Sequence, residues 1–165
     1  MAVPDKTIDP KILDCAKAEF LEKGYMNASL RQICANAGVT TGALYKRYSG
    51  KEALFNALVQ DVIDDIEKVI SDRHVDYSKG TMTDTQLYNM WTLTEGYLDW
   101  WYNFLLERKD AFTLLLKCSE GTQYQSFQHD LVERICEETY RCYTAAATRG
   151  LVRNDISRRE LHVLT

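Results

Sequence analysis

The order of apolar and polar residues along the chain predicts helices throughout. No stretch of useful length alternates between apolar and polar positions, which is the pattern that half-buried strands show. Ile12, Ala16 and Phe20 share one face of a first helix, and Asp9 is placed to cap its start. Gly24 is expected to end this helix, because glycine readily adopts the backbone conformation found after a helix C-terminus.

Two short helices are predicted after the first. Ser29 and Gln32 have the spacing of a capping box, in which each side chain bonds the backbone N–H of the other residue, so the second helix is expected to start at Ser29. Gly38 ends it after about two turns. The third helix then starts at Thr40 or Thr41, since threonine is a common helix cap.

Longer helices are predicted in the remainder of the chain. A second capping box, Ser49 to Glu52, opens a fourth helix that extends to about Arg73. The segment from about 84 to 108 is apolar on two stripes, so we expect it to run through the middle of a helical domain. Three further helices are predicted over about 110–118, over about 123–149, and from Asp155 or Ser157 onward.

Composition narrows the classes of protein that fit. Apolar residues make up 45% of the 165 residues, which allows a packed core. No uncharged apolar run approaches the roughly 18 residues needed to cross a bilayer, and the first residues lack the apolar core of a signal peptide. We therefore expect a cytoplasmic protein with no membrane partner.

The five cysteines are scattered and form no C-x-x-C pair, so neither a disulfide framework nor a zinc site is expected. They fit buried thiols in a reducing compartment. Redox sensing through Cys136 or Cys142 is the functional alternative. No metal and no cofactor is predicted.

Positive charge is concentrated near the front of the chain. Residues 1–55 carry eight Lys or Arg and six Asp or Glu, whereas residues 56–165 carry twelve and eighteen, and the whole chain has a net charge of −4. Between residues 29 and 55 the only acid is Glu52. This asymmetry indicates that the front of the chain binds an anion.

The two short helices are typical of a helix-turn-helix. Gly38 lies in the turn between them and can adopt the positive φ that such a turn requires. The outward positions of the second short helix are small or cationic, which suits a helix in the major groove of DNA. Ser29 and Lys51 each stand at a helix start, where free N–H groups and the helix dipole favour a phosphate.

The segment from Ser29 to Phe55 reads SLRQICANAGVTTGALYKRYSGKEALF and resembles the DNA-binding segment of the TetR family of bacterial transcriptional regulators. The preceding AKAEFLEKGYMNAS resembles that family's first helix, and the resemblance covers about residues 8–58. It implies an all-α fold. In that fold a three-helix DNA-binding domain, residues 1–50, joins through a long fourth helix to a helical effector-binding and dimerisation domain, residues 51–165.

The resemblance also implies roles for individual residues. Tyr45 would bond a phosphate through its hydroxyl, and Arg47 stands where the family commonly has histidine, which would strengthen contact with the DNA backbone at any pH. Replacing Lys51 by alanine is expected to flatten the salt dependence of DNA binding by about one unit. The residues predicted to face DNA are Ser29, Arg31, Thr40, Thr41, Gly42, Ala43, Tyr45, Lys46, Arg47 and Lys51.

The rear of the chain is rich in aromatic residues. In the resembled family this domain binds a small effector, and aromatic side chains would line its cavity. The alternative is that aromatic residues at helical spacing only form the core. The residues predicted to bind the ligand are Trp91, Tyr97, Trp100, Trp101, Phe104, Phe127 and Tyr140.

The resemblance predicts a ligand-responsive regulator, in this family most often a repressor that a small molecule releases from a palindromic operator. A homodimer would place two recognition helices about 34–36 Å apart, and a ligand that shifts the fourth helix would change that distance. The family usually dimerises through two C-terminal helices. Leu161, Val163 and Leu164 begin such a helix and the sequence then ends, so either the chain is shortened or another surface forms the dimer.

Two other classes of function stay open at this point. An enzyme is the main one, but the three histidines are far apart, and the sequence has no glycine-rich phosphate loop and no H-E-x-x-H motif. The other is a helical adaptor whose helix-turn-helix does not bind DNA. We expect no enzymatic activity and a double-stranded DNA partner.

Overall fold

The computed structural model describes residues 8–72, 77, 81–89 and 95–164, and within these ranges the chain forms nine helices and no strand. The all-α prediction is therefore confirmed. The helices are α1 Ile8–Asn27, α2 Leu30–Ala37, α3 Thr41–Tyr45, α4 Lys51–Asp72, α5 Asp84–Asn89, α6 Glu95–Glu107, α7 Lys109–Lys117, α8 Phe127–Thr148 and α9 Arg158–Leu164.

The described residues pack into two compact units. The first comprises the chain up to Glu67 together with Glu107–Phe127, and the second comprises Lys68–Leu106 together with the chain from Gln128 onward. The predicted boundary between residues 50 and 51 separates a DNA-binding domain from an effector-binding domain by their functions. It stays a prediction.

The core of the first unit is built from apolar positions that the helical spacing predicted. Ile12 and Phe20 on α1, Ile33 on α2, Leu44 on α3 and Phe55 on α4 are all fully buried. The rings of the two phenylalanines meet edge to face at 5.3 Å between their centres. Each buried side chain of this size contributes about 1.5–3 kcal/mol, so this cluster holds the first four helices together.

Gly38 ends α2 where the sequence predicted, whereas Gly24 interrupts α1 and does not end it. At Gly24 the backbone leaves the helical region, with φ 70° and ψ 163°, and this interrupts α1 three residues before its end. At Gly38 φ is 69°, and its N–H donates to the carbonyl of Ala35. The hydroxyl of Thr40 accepts from Ala43 N at 3.1 Å, so α3 starts at Thr41 with Thr40 as its cap.

The first predicted capping box forms only in part. The Ser29 hydroxyl accepts from Gln32 N at 3.4 Å, but the Gln32 side chain donates to Asn36 Oδ1 at 2.9 Å instead of reaching back. The Ser29 N–H donates to the carboxylate of Glu19 at 3.0 Å. A carboxylate is a stronger acceptor than an amide oxygen, so α1 supplies the partner that the sequence assigned to Gln32.

The second predicted capping box does not start α4. The helix begins at Lys51, and Leu54 N donates to Gly50 O at 3.2 Å, which makes Gly50 the residue before the first helical position. Gly50 has a φ of 150°, in the range that glycine adopts without strain. The predicted start at Ser49 was therefore wrong, because glycine at this position carries the chain into the helix without a side-chain cap.

In the second unit, α8 holds the segment that precedes α5. The guanidinium of Arg149 donates to Met82 O at 2.7 Å, to Tyr77 O at 3.0 Å and to Asp84 Oδ1 at 3.2 Å. The Tyr77 hydroxyl donates to Glu138 Oε1 at 2.7 Å. Burial and the neighbouring carboxylate raise the pKa of Tyr77, so the hydroxyl stays protonated and the bond to Glu138 persists across the ordinary pH range.

The prediction that the segment over 84–108 runs through the middle of a domain was wrong for α6. Leu98, Tyr102, Leu105 and Leu106 are between 44% and 67% exposed, whereas Phe104 is buried. Two apolar stripes allow a helix to be packed against neighbours on two sides. In the described part of the chain, only one side of α6 is packed in this way. The segment is described as α5 and α6, and residues 90–94 between them lie outside the described residues.

Candidate nucleic-acid interface

Helices α2 and α3 form the predicted helix-turn-helix. Ile33 and Cys34 on α2 and Leu44 on α3 are buried, so these faces point inward. The turn is closed by Val39 N, which donates to Cys34 O at 3.0 Å. Burial raises the pKa of the Cys34 thiol, so the thiol stays neutral and fits the packing role that the sequence predicted.

The opposite face of the motif is open to solvent. Thr40 and Thr41 are exposed at the start of α3, and Tyr45 at its end is 54% exposed. The side chains of Arg31 and Lys46 are exposed and form no hydrogen bond or ion pair with any residue that the structure describes. Two cations without a partner among the described residues, beside a polar helix start, form a surface that can bind an anion.

The geometry of Arg47 differs from that of Lys46 beside it. Its Nε lies 2.6 Å from Asp9 Oδ1, an ion pair whose angle does not make a hydrogen bond, and its Nη1 donates to Ala43 O at 3.3 Å. The side chain is only 23% exposed. Arg47 therefore ties the end of α3 to the first turn of α1.

Lys51 is also held within the protein. Its ammonium donates to Met26 O at 3.0 Å and to Ala28 O at 3.1 Å, and it lies 4.8 Å from the centre of the Tyr25 ring. These partners belong to the turn before α2, residues 24–29. The first residue of α4 is thus bonded to the backbone that leads into α2.

Glu19 is a buried neighbour of the start of α2 that the sequence did not indicate. Its side chain is 3% exposed, and Oε1 accepts from Lys23 Nζ at 2.9 Å and from Ser29 N at 3.0 Å. Burial by itself raises the pKa of this carboxyl, but the hydrogen bonds from Lys23 and Ser29 and the charge of Lys23 outweigh it, and the net pKa is lowered. The four-residue spacing of Glu19 and Lys23 was the signal available in the sequence.

This lowered pKa makes the stability of the fold dependent on pH in the acid range. Since the folded pKa lies below the unfolded value of 4.5, the stabilisation from the Glu19 carboxylate is fully present above pH 4.5 and is lost as the pH falls through the folded pKa. We expect Glu19→Gln to lower the free energy of unfolding at neutral pH and to match the wild type at low pH. Urea unfolding of both proteins from about pH 7 to about pH 3 measures this, and a difference that stays constant with pH would contradict it.

The residues predicted to bind a ligand are described in part. Trp100, Trp101 and Phe104 form one aromatic cluster on α6, with ring centres 5.1–5.6 Å apart. Tyr140 on α8 is half-buried, 6.0 Å from the ring of Tyr143. Phe127, at the start of α8, is half-buried in the first unit. Trp91 and the side chain of Tyr97 lie outside the described residues.

A groove of about 330 Å³ lies elsewhere, in the first unit, where the ends of α1 and α7 meet. Tyr25, Thr113 and Cys118 line it together with Lys23 and Lys117, and none of the residues predicted to bind a ligand does so. Tyr25 N donates to Cys118 O at 2.9 Å, which joins the two helix ends. The predicted aromatic cavity stays a prediction.

Within the described ranges, no group of three or more His, Cys, Asp or Glu side chains is placed to hold a metal ion. None of the helices described combines the length and the apolar character that crossing a bilayer requires.

Known proteins match this chain in the segment that contains the helix-turn-helix. Residues 12–58 match the family described as bacterial regulatory proteins, tetR family. The HTH-type transcriptional regulator UidR of Escherichia coli (strain K12) is 36% identical over 58 residues, which are 35% of this chain and 28% of that protein. The matched segment thus spans less than a third of the relative's length.

Solved structures resemble the fold over nearly the whole chain. A TetR transcriptional regulator family member from Streptomyces coelicolor A3 has a TM-score of 0.59 at 24% identity, covering 99% of this chain and 74% of that one. A gamma-butyrolactone receptor described as ArpA-like has a TM-score of 0.57 at 20% identity, covering 96% and 75%. These likenesses show the fold, an N-terminal helix-turn-helix followed by a helical C-terminal part.

Proposed function

Since the chain belongs to the TetR family of bacterial regulatory proteins, we propose that it is a DNA-binding transcriptional regulator that responds to a small-molecule ligand. The observation that carries the DNA-binding part is the exposed face of α2 and α3, where Arg31 and Lys46 have no partner among the described residues. The phosphates of a DNA backbone would be the anionic partners of these two side chains.

The proposed interface places small groups in the groove and polar groups on its edges. Thr41, Gly42 and Ala43 would face base edges, because small side chains allow the helix to approach closely. The Tyr45 hydroxyl and the Lys46 ammonium would bind phosphates on one side of the groove. The exposed groups at the starts of α2 and α3 would complete the interface, namely Ser29, Arg31 and Thr40. Arg47 and Lys51 were predicted for the same role but are bound within the protein.

The remaining parts of the proposal concern assembly and control. A homodimer would read a palindromic operator, because two recognition helices one turn of DNA apart multiply the specificity of a single helix. Binding over a promoter would repress transcription. A gamma-butyrolactone receptor is among the structural neighbours, which supports a ligand-binding role for the helices beyond residue 50. A ligand there need supply only about 1–3 kcal/mol of coupling to release the operator.

Gel retardation with the intergenic DNA beside the gene of this chain tests the proposal. We expect wild type to bind, Tyr45→Phe and Lys46→Gln to bind several-fold more weakly, and Lys46→Gln to flatten the slope of log K against log salt by about 0.9. Lys109→Gln is the matched control, because Lys109 is an exposed cation at the start of α7. It should leave both affinity and slope unchanged.

Two outcomes would count against the proposal. Equal effects of Lys46→Gln and Lys109→Gln would show that net charge, and not the α3 surface, governs binding. A wild-type protein that retards no fragment would favour the alternative of a helical adaptor whose helix-turn-helix does not bind DNA.

A further inference from the structure

We propose that Asp9 is a positioning residue for DNA binding. Its carboxylate holds the guanidinium of Arg47 at the end of α3, so that the Nη2 group of Arg47 is presented to a phosphate of the DNA backbone. Asp9 thus supports binding through Arg47, although its own charge repels DNA. This inference rests on the proposed function and deepens it, because it gives an acid on α1 a role in the interface.

The guanidinium of Arg47 is held at two of its three nitrogens. Nε lies 2.6 Å from Asp9 Oδ1, and Nη1 donates to Ala43 O at 3.3 Å. Nη2 donates no hydrogen bond to any residue in the described ranges, so its N–H groups are available to an acceptor outside the protein. Since arginine presents its N–H donors in a rigid planar group, Arg47 can bind a phosphate without breaking its contact with Asp9.

The carboxylate of Asp9 is itself fixed. Asp9 lies in the first turn of α1, where the helix dipole favours a negative charge. Its side chain is 49% exposed, but Oδ1 is buried and accepts no hydrogen bond from the described residues, so the charge of Arg47 compensates this oxygen. A phosphate that drew Arg47 away would leave Oδ1 shielded from water without a counter-charge, whereas a phosphate bound at Nη2 leaves the ion pair in place.

The side chain of Tyr48 indicates the same arrangement. It is half-buried at the end of α3. Burial raises the pKa of its hydroxyl, the charge of Asp9 raises this pKa further, and the charge of Arg47 lowers it, so both charges lie close to this side chain. The ion pair therefore lies beside a packed part of the first unit, where salt screens it less than on an open surface.

The end of α3 is a place where a free Nη2 group can reach DNA. Arg47 N donates to Leu44 O at 2.9 Å, so Arg47 continues the last turn of this helix. Tyr45 and Lys46 come immediately before it, are both exposed, and are proposed to bind phosphates. Arg47 adds a third phosphate-binding group at this end of α3, and α1 orients it through Asp9.

Gel retardation of the intergenic duplex by the full chain tests the role of Asp9. Removing an acid near DNA strengthens binding through charge alone, so a loss of affinity in Asp9→Asn has the opposite sign to that effect. We expect Asp9→Asn to bind about fivefold more weakly and to flatten the slope of log K against log salt by about 0.9, because Arg47 loses its phosphate. Asp14→Asn is the matched control, since Asp14 is an exposed acid on the same helix whose ion-pair partner is Lys17. It should bind at least as tightly as the wild type, with an unchanged slope.

The effect of Asp9 must depend on Arg47. Arg47→Gln should flatten the slope by about 0.9 on its own, and adding Asp9→Asn to it should cause no further loss. Without DNA, the NMR order parameter of the Arg47 Nε–H group should fall in Asp9→Asn and keep its wild-type value in Asp14→Asn. If Asp9→Asn does not fold, Asp9→Ser keeps an oxygen suited to a helix start and should flatten the slope by the same amount.

Tighter binding by Asp9→Asn, or a weaker affinity with the wild-type slope, would overturn the inference. The first result would show that Asp9 competes with DNA for Arg47, and the second that Arg47 keeps its phosphate without Asp9. An equal loss from Asp9→Asn in the wild type and in the Arg47→Gln background would overturn it as well, since Asp9 would then act without Arg47. A wild type that binds no duplex would defeat the proposed function, and the order parameter would still decide whether Asp9 fixes Arg47.

Discussion

Replacing Phe55 by alanine is expected to lower the free energy of unfolding by about 3–5 kcal/mol, the largest effect of any single substitution considered for the first unit. The side chain is fully buried on α4. Its ring lies 5.3 Å from that of Phe20, 5.5 Å from that of Tyr25 and 6.4 Å from that of Tyr124, so truncation leaves a cavity between α1, α4 and the residues after α7.

Urea unfolding followed by circular dichroism measures this loss. Asp61→Ala on the exposed side of the same helix is the matched control and should stay within about 0.5 kcal/mol of the wild type. Phe55→Leu should lie between the two, because leucine fills part of the space. A loss below about 1 kcal/mol for Phe55→Ala would show that the aromatic cluster does not hold these helices together.

The second large effect is expected for Glu19→Ala, about 2–3 kcal/mol of destabilisation. The substitution removes the buried acceptor of the Ser29 N–H at the start of α2 and the partner of Lys23. The bond that Ser29 loses is partly buried and has a charged acceptor, and hydrogen bonds to charged groups contribute about 1.5–3 kcal/mol. The ammonium of Lys23 reaches solvent and loses little, so the effect arises mainly at Ser29.

Two variants locate the effect of Glu19. Glu19→Gln keeps an oxygen acceptor for Ser29 and should recover part of the stability at neutral pH. Glu22→Ala, an exposed carboxylate one turn along the same helix, should be close to neutral. If Glu19→Ala and Glu22→Ala were equally mild by thermal unfolding, the carboxylate would have no role in starting α2.

The sequence correctly predicted those features of the fold that arise from interactions between residues a few positions apart along the chain. Gly38 ends α2 and Thr40 caps α3 because each acts on backbone groups within one turn of itself. Leu44 is buried because the spacing of apolar residues on a helix defines its inner face. These rules need no knowledge of the rest of the chain.

The contacts that the sequence did not predict join residues far apart along the chain. Glu19 meets Ser29 ten positions on, and Lys51 meets Met26 across 25 positions. The sequence predicted a phosphate contact for Lys51 and no role for Glu19, since a charge pattern does not show which backbone groups lie within reach of a side chain. The same limit explains α6, where two apolar stripes indicated burial but not which element would cover each stripe.

Two long cationic side chains in the described part of the chain donate to main-chain oxygens of distant segments. Lys51 holds Met26 and Ala28 in the first unit, and Arg149 holds Tyr77 and Met82 in the second. Every amino acid has a main-chain carbonyl oxygen, so the residues that accept these hydrogen bonds can be substituted without losing the acceptor. The lysine or arginine that donates cannot be substituted in the same way. A turn taken from a relative could be grafted at 26–28 without redesigning its acceptors, provided that lysine stays at position 51.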